Sequence, residues 1–237
     1  VLITKNSIYL HLPKTGGTWV NHVLTPIAIE QRSHHIPTDV VEHDNVFCFV
    51  RNPWDWYVTL YQFFHHGSSS FNGEHNFFLS ETHPVLLALF KDITFEDFII
   101  ELNYPNKKFK ERFSKILNLQ KKIFENSGKI SEFETIDTRV IIDKWKNSQT
   151  GLYEHFCSAY TRYAKTVGKY ENLKKDLVDM ITSSGDLTDE ILDRISTVPP
   201  MNVTKNKQNY RNYYTDKTKS IVADTSSRLI ERYGYEF

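Results

Sequence analysis

Residues 7–19, SIYLHLPKTGGTW, read as one unit: a strand, a turn and the start of a helix. Ser7–His11 alternates in polarity and carries β-branched and aromatic residues, the composition of a strand. Leu12–Thr15 forms a turn, and Gly16 or Gly17 opens a helix that must stop near Pro26. A second unit of the same form follows at residues 45–56, NVFCFVRNPWDW. Asn45–Val50 is a nearly continuous apolar run, as expected of a strand buried on both faces of a parallel sheet. It breaks at Arg51-Asn52-Pro53, where Asn52 suits an N-cap and Pro53 a first helical position, so the next helix runs from Pro53 to about Phe64.

The rest of the chain supports the same class. Thr94-Phe-Glu-Asp97 reads as a capping box opening a helix to about Leu102. Phe109, Phe113, Ile116, Leu117, Leu119 and Ile123 suit an amphipathic helix ending near Gly128. Thr166–Tyr170 reads as a short strand, followed by a helix from Asn172 to about Ser183 with Gly185 just beyond it. Thr215 caps a last helix whose Ile221, Val222, Thr225, Leu229 and Ile230 share a face, and Gly234 stops it. Strand–helix units at both ends with helices between them predict an α/β fold: a central, mainly parallel sheet flanked by helices. No repeat or linker interrupts residues 1–237, so a single domain is expected. His65–His75 (HHGSSSFNGEH) is a polar loop with two glycines, the make-up of a lid.

Composition narrows the function classes. The 237 residues hold 29 Lys+Arg against 29 Asp+Glu, a formal net charge of zero. A balanced surface speaks against a general nucleic-acid or acidic-membrane binder, which needs a basic excess. Two cysteines, Cys48 and Cys157, make neither a disulfide scaffold nor a multi-cysteine zinc site. No apolar run has the ~18 residues of a membrane span, and no leader is visible, so the cytoplasm is the expected location if the chain is complete.

The turn Pro13-Lys14-Thr15-Gly16-Gly17-Thr18-Trp19 has the parts of an anion site. Successive N–H groups in a glycine turn form a concave nest, and the helix start adds partial positive charge. Gly16 and Gly17 let backbone approach an anion, Thr15 and Thr18 offer hydroxyls, and Lys14 adds a full charge. In a nucleoside-triphosphatase loop the Lys follows the glycines; here Lys14 precedes them, so this is a different loop. Alone, such a turn also serves as an ordinary β–α connection. Arg51 repeats the arrangement at the end of the second strand, with Thr59 eight residues on. Ligands of open α/β sheets sit beyond the carboxyl ends of strands, so Lys14 and Arg51 should face one crevice. Two separated anion sites there suggest a nucleotide with phosphates at both ends; an Arg51 paired with Asp55 is the plainer alternative.

Taken together, these motifs resemble those of the sulfotransferases that use 3′-phosphoadenosine 5′-phosphosulfate (PAPS). LPKTGGTW is similar to their 5′-phosphosulfate loop and FVRNPWDWYVTLYQF to their 3′-phosphate motif. Val167–Leu173 (VGKYENL) resembles the strand and turn before a late helix in many members. Tyr213-Tyr-Thr-Asp216 and Tyr233-Gly-Tyr-Glu-Phe237 resemble the C-terminal block of bacterial and carbohydrate-type members. The resemblance implies a P-loop-like three-layer fold. It makes PAPS the co-substrate and 3′-phosphoadenosine 5′-phosphate (PAP) the product, with no metal. Lys14, Thr15, Gly16, Gly17, Thr18 and Trp19 would then hold the 5′-phosphosulfate, with Trp19 near the adenine or the sulfate. Arg51 and Thr59 would bind the 3′-phosphate, and Lys14 would also stabilise the leaving phosphate oxygen.

The resemblance also implies a base for a hydroxyl acceptor. His34-His35-Ile36-Pro37 lies between the two phosphate motifs, and His35 matches the family's His-Leu-Pro histidine, with His34 as its alternate. Histidine titrates close to working pH, which suits the role. His11, His65 and His66 are further acid–base candidates, and Glu171 reads as a residue that orients the crevice. Three positions depart from the family pattern. Ser33 stands where some members carry a lysine, Trp56 where many carry an arginine, and the C-terminal Arg-Lys-Gly segment has no counterpart. Lys205, Lys207 and Arg211 could stand in for that segment as a basic stretch, although such Lys/Asn-rich loops usually stay solvated. Trp54 or Trp56 could stack on adenine or on a sugar ring, whereas Phe47, Phe49, Tyr57, Tyr61 and Phe64 read as core.

The expected activity is sulfuryl transfer from PAPS to a hydroxyl, with a carbohydrate or glycan acceptor first and a small-molecule or lipid alcohol second. Residues 65–166 diverge most and would form the acceptor region. A non-catalytic PAP-binding module on the same fold is the alternative.

Overall fold

The computed structural model describes residues 1–31, 36–37, 40, 43–66, 92–111, 115, 135–136, 144–201, 203 and 208–237. Ser33, His34 and His35 lie outside the described residues, as do most of the expected lid, most of the 109–128 helix, and Lys205 and Lys207. The chain forms two compact units. One comprises Val1–Asn52, Glu134–Ile141 and His155–Met201, the other Pro53–Phe133, Ile142–Glu154 and Asn202–Phe237.

In the first unit the strands are β1 (Leu2–Ile3), β2 (Ile8–Leu10), β3 (Glu30–Gln31), β4 (Ile36–Pro37), β5 (Val46–Val50), β6 (Thr135–Ile136) and β7 (Thr166–Lys169). Five of them make one sheet in the order β3-β1-β2-β5-β7. β5 runs parallel to β2 and to β7, the parallel centre expected from its apolar run. β1 is antiparallel to β2 and β3, so the sheet is mixed. The reason is local. Thr4 N–H donates to Ser7 O at 2.9 Å, closing a turn far too short for the crossover that a parallel pair requires. Asp186 Oδ2 anchors that turn by accepting from Thr4 Oγ1 and Ser7 Oγ, each at 2.6 Å. β4 and β6 form a separate antiparallel pair.

Alternation along the strands builds the core. Tyr9, Phe47 and Phe49 share one face, with the Tyr9 and Phe47 rings 5.3 Å apart. Three helices pack on that face: α1 (Gly17–Leu24), and two whose place in chain order follows α2 (Pro53–His66), α3 (Phe95–Asn103) and α4 (Leu152–Thr161). These are α5 (Leu173–Ser184) and α6 (Asp189–Thr197). Trp19, Val20, Val23 and Leu24 of α1 join Leu177, Met180 and Ile181 of α5 and Ile191 and Ile195 of α6 in one buried cluster. Each such side chain contributes roughly 1.5–3 kcal/mol through burial. Arg194 closes the far end of α1 by donating to Val23 O at 3.1 Å and His22 O at 2.6 Å. Gly185, with φ 77°, ends α5 in the left-handed conformation that glycine adopts without steric cost.

The second unit is helical where described. α2 runs two residues beyond the expected Phe64, and Thr94 caps α3 by accepting from Asp97 N–H. Thr215 and Thr218 form a capping box at the start of α7 (Asp216–Thr225). The single last helix expected from the sequence is two, with α8 (Ser227–Tyr233) following a break at Ser226. Tertiary bonds cause the break. Thr225 O accepts Gly151 N–H at 3.2 Å, and Leu229 N–H goes to the buried Glu154 carboxylate. Burial pushes the Glu154 pKa up, and the Leu229 bond and Arg228 partly offset that.

No helix among the described residues is long and apolar enough to cross a membrane.

Candidate functional site

The candidate site is built at the carboxyl ends of β2 and β5. Past Leu10 the chain turns sharply. Leu12 N–H donates to Leu10 O at 3.0 Å, and the fully buried Thr15 donates its hydroxyl to Leu12 O at 2.7 Å. Lys14 has φ 66°, the only non-glycine residue with positive φ among those described, and Gly16 has φ 84°. The positive φ of Gly16 strains any other residue there, and a Cβ would also crowd the end of the Leu173 side chain at 2.8 Å. At Gly17 a Cβ would run into the His11 ring.

α1 starts at once from this turn, with Trp19 and Val20 N–H donating to Gly16 O. Its first turn has no acidic residue and no side-chain cap. The helix dipole therefore faces the Lys14–Gly17 turn without an internal counter-charge, an arrangement that favours an anion.

Strand register delivers Arg51 to the same place. Val50 pairs with Lys169, so Arg51 leaves β5 beside Tyr170, and Asn52 beside Glu171. Arg51 is 4% exposed. Its Nη1 donates to Lys14 O at 3.0 Å, and its Cζ lies 4.0 Å from the centre of the Tyr170 ring. Glu171 Oε1 accepts Asn52 N–H at 2.8 Å, the orienting role read from the sequence. Lys14 and Arg51, expected in two separated sites, are thus adjacent in the chain's fold, because neighbouring strands lie only ~4.8 Å apart. Burial lowers the Lys14 pKa, and the Arg51 charge lowers it further, to about 7.

Other expected residues sit elsewhere. Trp19, expected against a nucleotide, belongs to the core: it is 4% exposed, and its indole N–H donates to Val198 O at 3.2 Å. Its place on the inward face of α1 decides this. Thr18 is exposed at the helix start. His11 is buried and stacked 6.0 Å from Tyr9, against the Gly17 turn. His34 and His35 lie outside the described residues.

Thr59 and Arg211 belong to the second unit. The Thr59 hydroxyl is buried with no hydrogen-bond partner among the described residues. Arg211 stacks over Tyr210 at 4.9 Å, in an open cleft with Asp55, Gln208 and Asn209. Trp54 and Trp56, one of which could have served as a stacking platform, are both buried in that unit. Trp56 stacks on Tyr153 at 4.3 Å, and Trp54 packs edge-on to Phe237 while donating to Lys219 O.

Tyr170 was not singled out by the sequence. Its signals were its place in VGKYENL and at the end of the expected strand, which stops one residue earlier, at Lys169.

No family model, no curated protein and no solved structure matches this chain.

Proposed function

We propose that this chain is a PAPS-dependent sulfotransferase that moves a sulfuryl group to a hydroxyl, with a carbohydrate or glycan as the leading acceptor class. One observation carries the reading. Lys14, Arg51 and the start of α1, which has no side-chain cap, converge at one end of the sheet, on a turn where Gly16 holds a positive φ that strains other residues. The resemblance of LPKTGGTW and of the Arg51 segment to the sulfotransferase motifs supplies the identity of the anion.

The donor set suits a phosphosulfate. Two cations and the N–H groups of the α1 start bring donors and positive charge together, and the exposed Thr18 hydroxyl can donate as well. PAPS supplies the activated sulfuryl group, whose S–O bond to phosphate breaks as the acceptor oxygen forms its own. Lys14 holds a proton at Nζ against the phosphate oxygen on which negative charge grows, stabilising the transition state more than the ground state. Arg51 binds phosphate oxygens through its planar fork. The acceptor proton passes to a base, for which His35 is assigned from the sequence and His34 is the alternate.

Transfer of labelled sulfate from PAPS to a panel of glycans and alcohols tests the proposal. Turnover that falls by orders of magnitude in Lys14→Ala and in His35→Ala is the expected result. Unchanged turnover in His35→Ala removes that residue from the mechanism. PAP binding without transfer to any acceptor would leave a nucleotide-binding module.

A further inference from the structure

We infer that Tyr170 is a positioning residue: its ring holds the Arg51 guanidinium against the Lys14–Gly16 turn, so that both cations meet one polyanion in a set geometry. The inference rests on the anion-site reading above and deepens it.

Four observations carry it. The Tyr170 ring lies under Arg51 with 4.0 Å from Cζ to the ring centre, so the guanidinium rests on the negative face of the π system. The same ring touches the turn, since a Cβ on Gly16 would sit 3.1 and 3.2 Å from Tyr170 Cδ2 and Cε2. Arg51 is also tied to that turn by its bond to Lys14 O. The backbone around Tyr170 is itself pinned: Lys169 N–H donates to Asp176 Oδ2 at 2.8 Å, and Asn52 N–H to the neighbouring Glu171.

The ring also answers an electrostatic problem. Arg51 and Lys14 repel each other, and in a half-buried site water screens that repulsion poorly. Next to Tyr170, Glu171 accepts Asn52 N–H through Oε1, and His11 packs against the Gly17 backbone. An aromatic face in contact with the guanidinium favours the cation without adding a carboxylate that would repel the ligand. An aliphatic side chain of similar size would fill the space and lack that effect.

The test follows the titration of Lys14 by NMR of ¹³C-dimethylated protein, together with PAP affinity by calorimetry. It compares wild type, Tyr170→Phe and Tyr170→Leu. Wild type should titrate near 7 at Lys14. Tyr170→Phe should keep that midpoint, because the ring face remains. Tyr170→Leu should release Arg51 from its place beside Lys14, move the midpoint upward, and weaken PAP about 10-fold. In an Arg51→Met background the Tyr170→Leu change should no longer move the midpoint, which a merely structural role would not predict. If Tyr170→Leu does not fold, Tyr170→Met carries the same comparison. A folded variant with the wild-type Lys14 midpoint and wild-type PAP affinity overturns the positioning role. Failure of wild type to bind PAP overturns the proposed function instead, and the Lys14 midpoints then decide the role of Tyr170 by themselves.

Discussion

The Leu12–Gly17 turn of the first unit and the Asn103–Thr225 junction of the second handle buried polarity in opposite ways. At the junction, neutral groups satisfy one another. Asn103 Oδ1 accepts from Tyr57 OH at 2.9 Å and lies 2.5 Å from Thr225 Oγ1, while Asn103 Nδ2 donates to Ile99 O. Tyr57 OH in turn accepts Tyr153 N–H at 3.3 Å, and backbone bonds lost at Ser226 are replaced by Gly151 and Glu154. The turn instead gathers like charge and unusual backbone: Lys14 and Gly16 at positive φ, a lysine beside an arginine, and a helix start with no acidic residue. Around Asn103 the buried amide and hydroxyls find their partners within the unit. The turn concentrates positive charge, and the proposed function gives that charge an anion to meet.

That contrast can be broken most sharply at Lys14. Lys14→Ala should lower sulfate transfer by about 100- to 1,000-fold, the usual effect of removing one transition-state donor. The same substitution should leave folding stability unchanged or raised, because it removes a cation from beside another. A variant that loses stability and keeps turnover would reverse the assignment. Asn103→Ala should do the opposite. It strips partners from two buried hydroxyls and should cost about 3 kcal/mol in urea unfolding.

A smaller effect lies in pH dependence. Lys14 has an ordinary pKa of 10.5, lowered to about 7 in the folded protein. The unfolded chain therefore holds a proton between those values that the folded chain has released, and Lys14 makes stability rise with pH across that window. Ligand binding carries the opposite sign. A polyanion raises the Lys14 pKa, so binding takes up a proton and affinity falls by up to about tenfold per pH unit above 7. Calorimetry of PAP binding in buffers of different ionisation enthalpy checks this, and Lys14→Met should flatten both trends. The smallest effect belongs to Arg194→Ala, which opens the far end of α1 and should cost about 1 kcal/mol with little change in turnover.

What the sequence revealed follows the range of the forces involved. NVFCFV announced the central parallel strand because five consecutive buried side chains leave an apolar run. LPKTGG announced the turn because glycine pairs are scarce in this chain. The two-residue strands β1 and β3 are too short to show a period. The break at Ser226 depends on Gly151 and Glu154, more than 70 residues away, and no local propensity encodes it. Trp19 was misread because motif position and helix face disagree, and the face sets its surroundings. The stacking of Arg51 on Tyr170 spans 119 residues and becomes visible only through the parallel register of β5 and β7. The glycine turn and the convergence of Lys14 and Arg51 were therefore legible from the sequence, whereas the aromatic contact of Arg51 with Tyr170 needed the sheet.

The central claim is that the Lys14–Arg51 turn accepts a nucleotide carrying phosphate at both ends. Thermal and urea unfolding with PAP, set against ATP–Mg²⁺, tests it most directly. With PAP at about 100 times its dissociation constant, the account predicts stabilisation of about 2.7 kcal/mol in wild type, and far less in Lys14→Ala at the same concentration. No shift with PAP, or a larger shift with ATP–Mg²⁺ than with PAP, would contradict it.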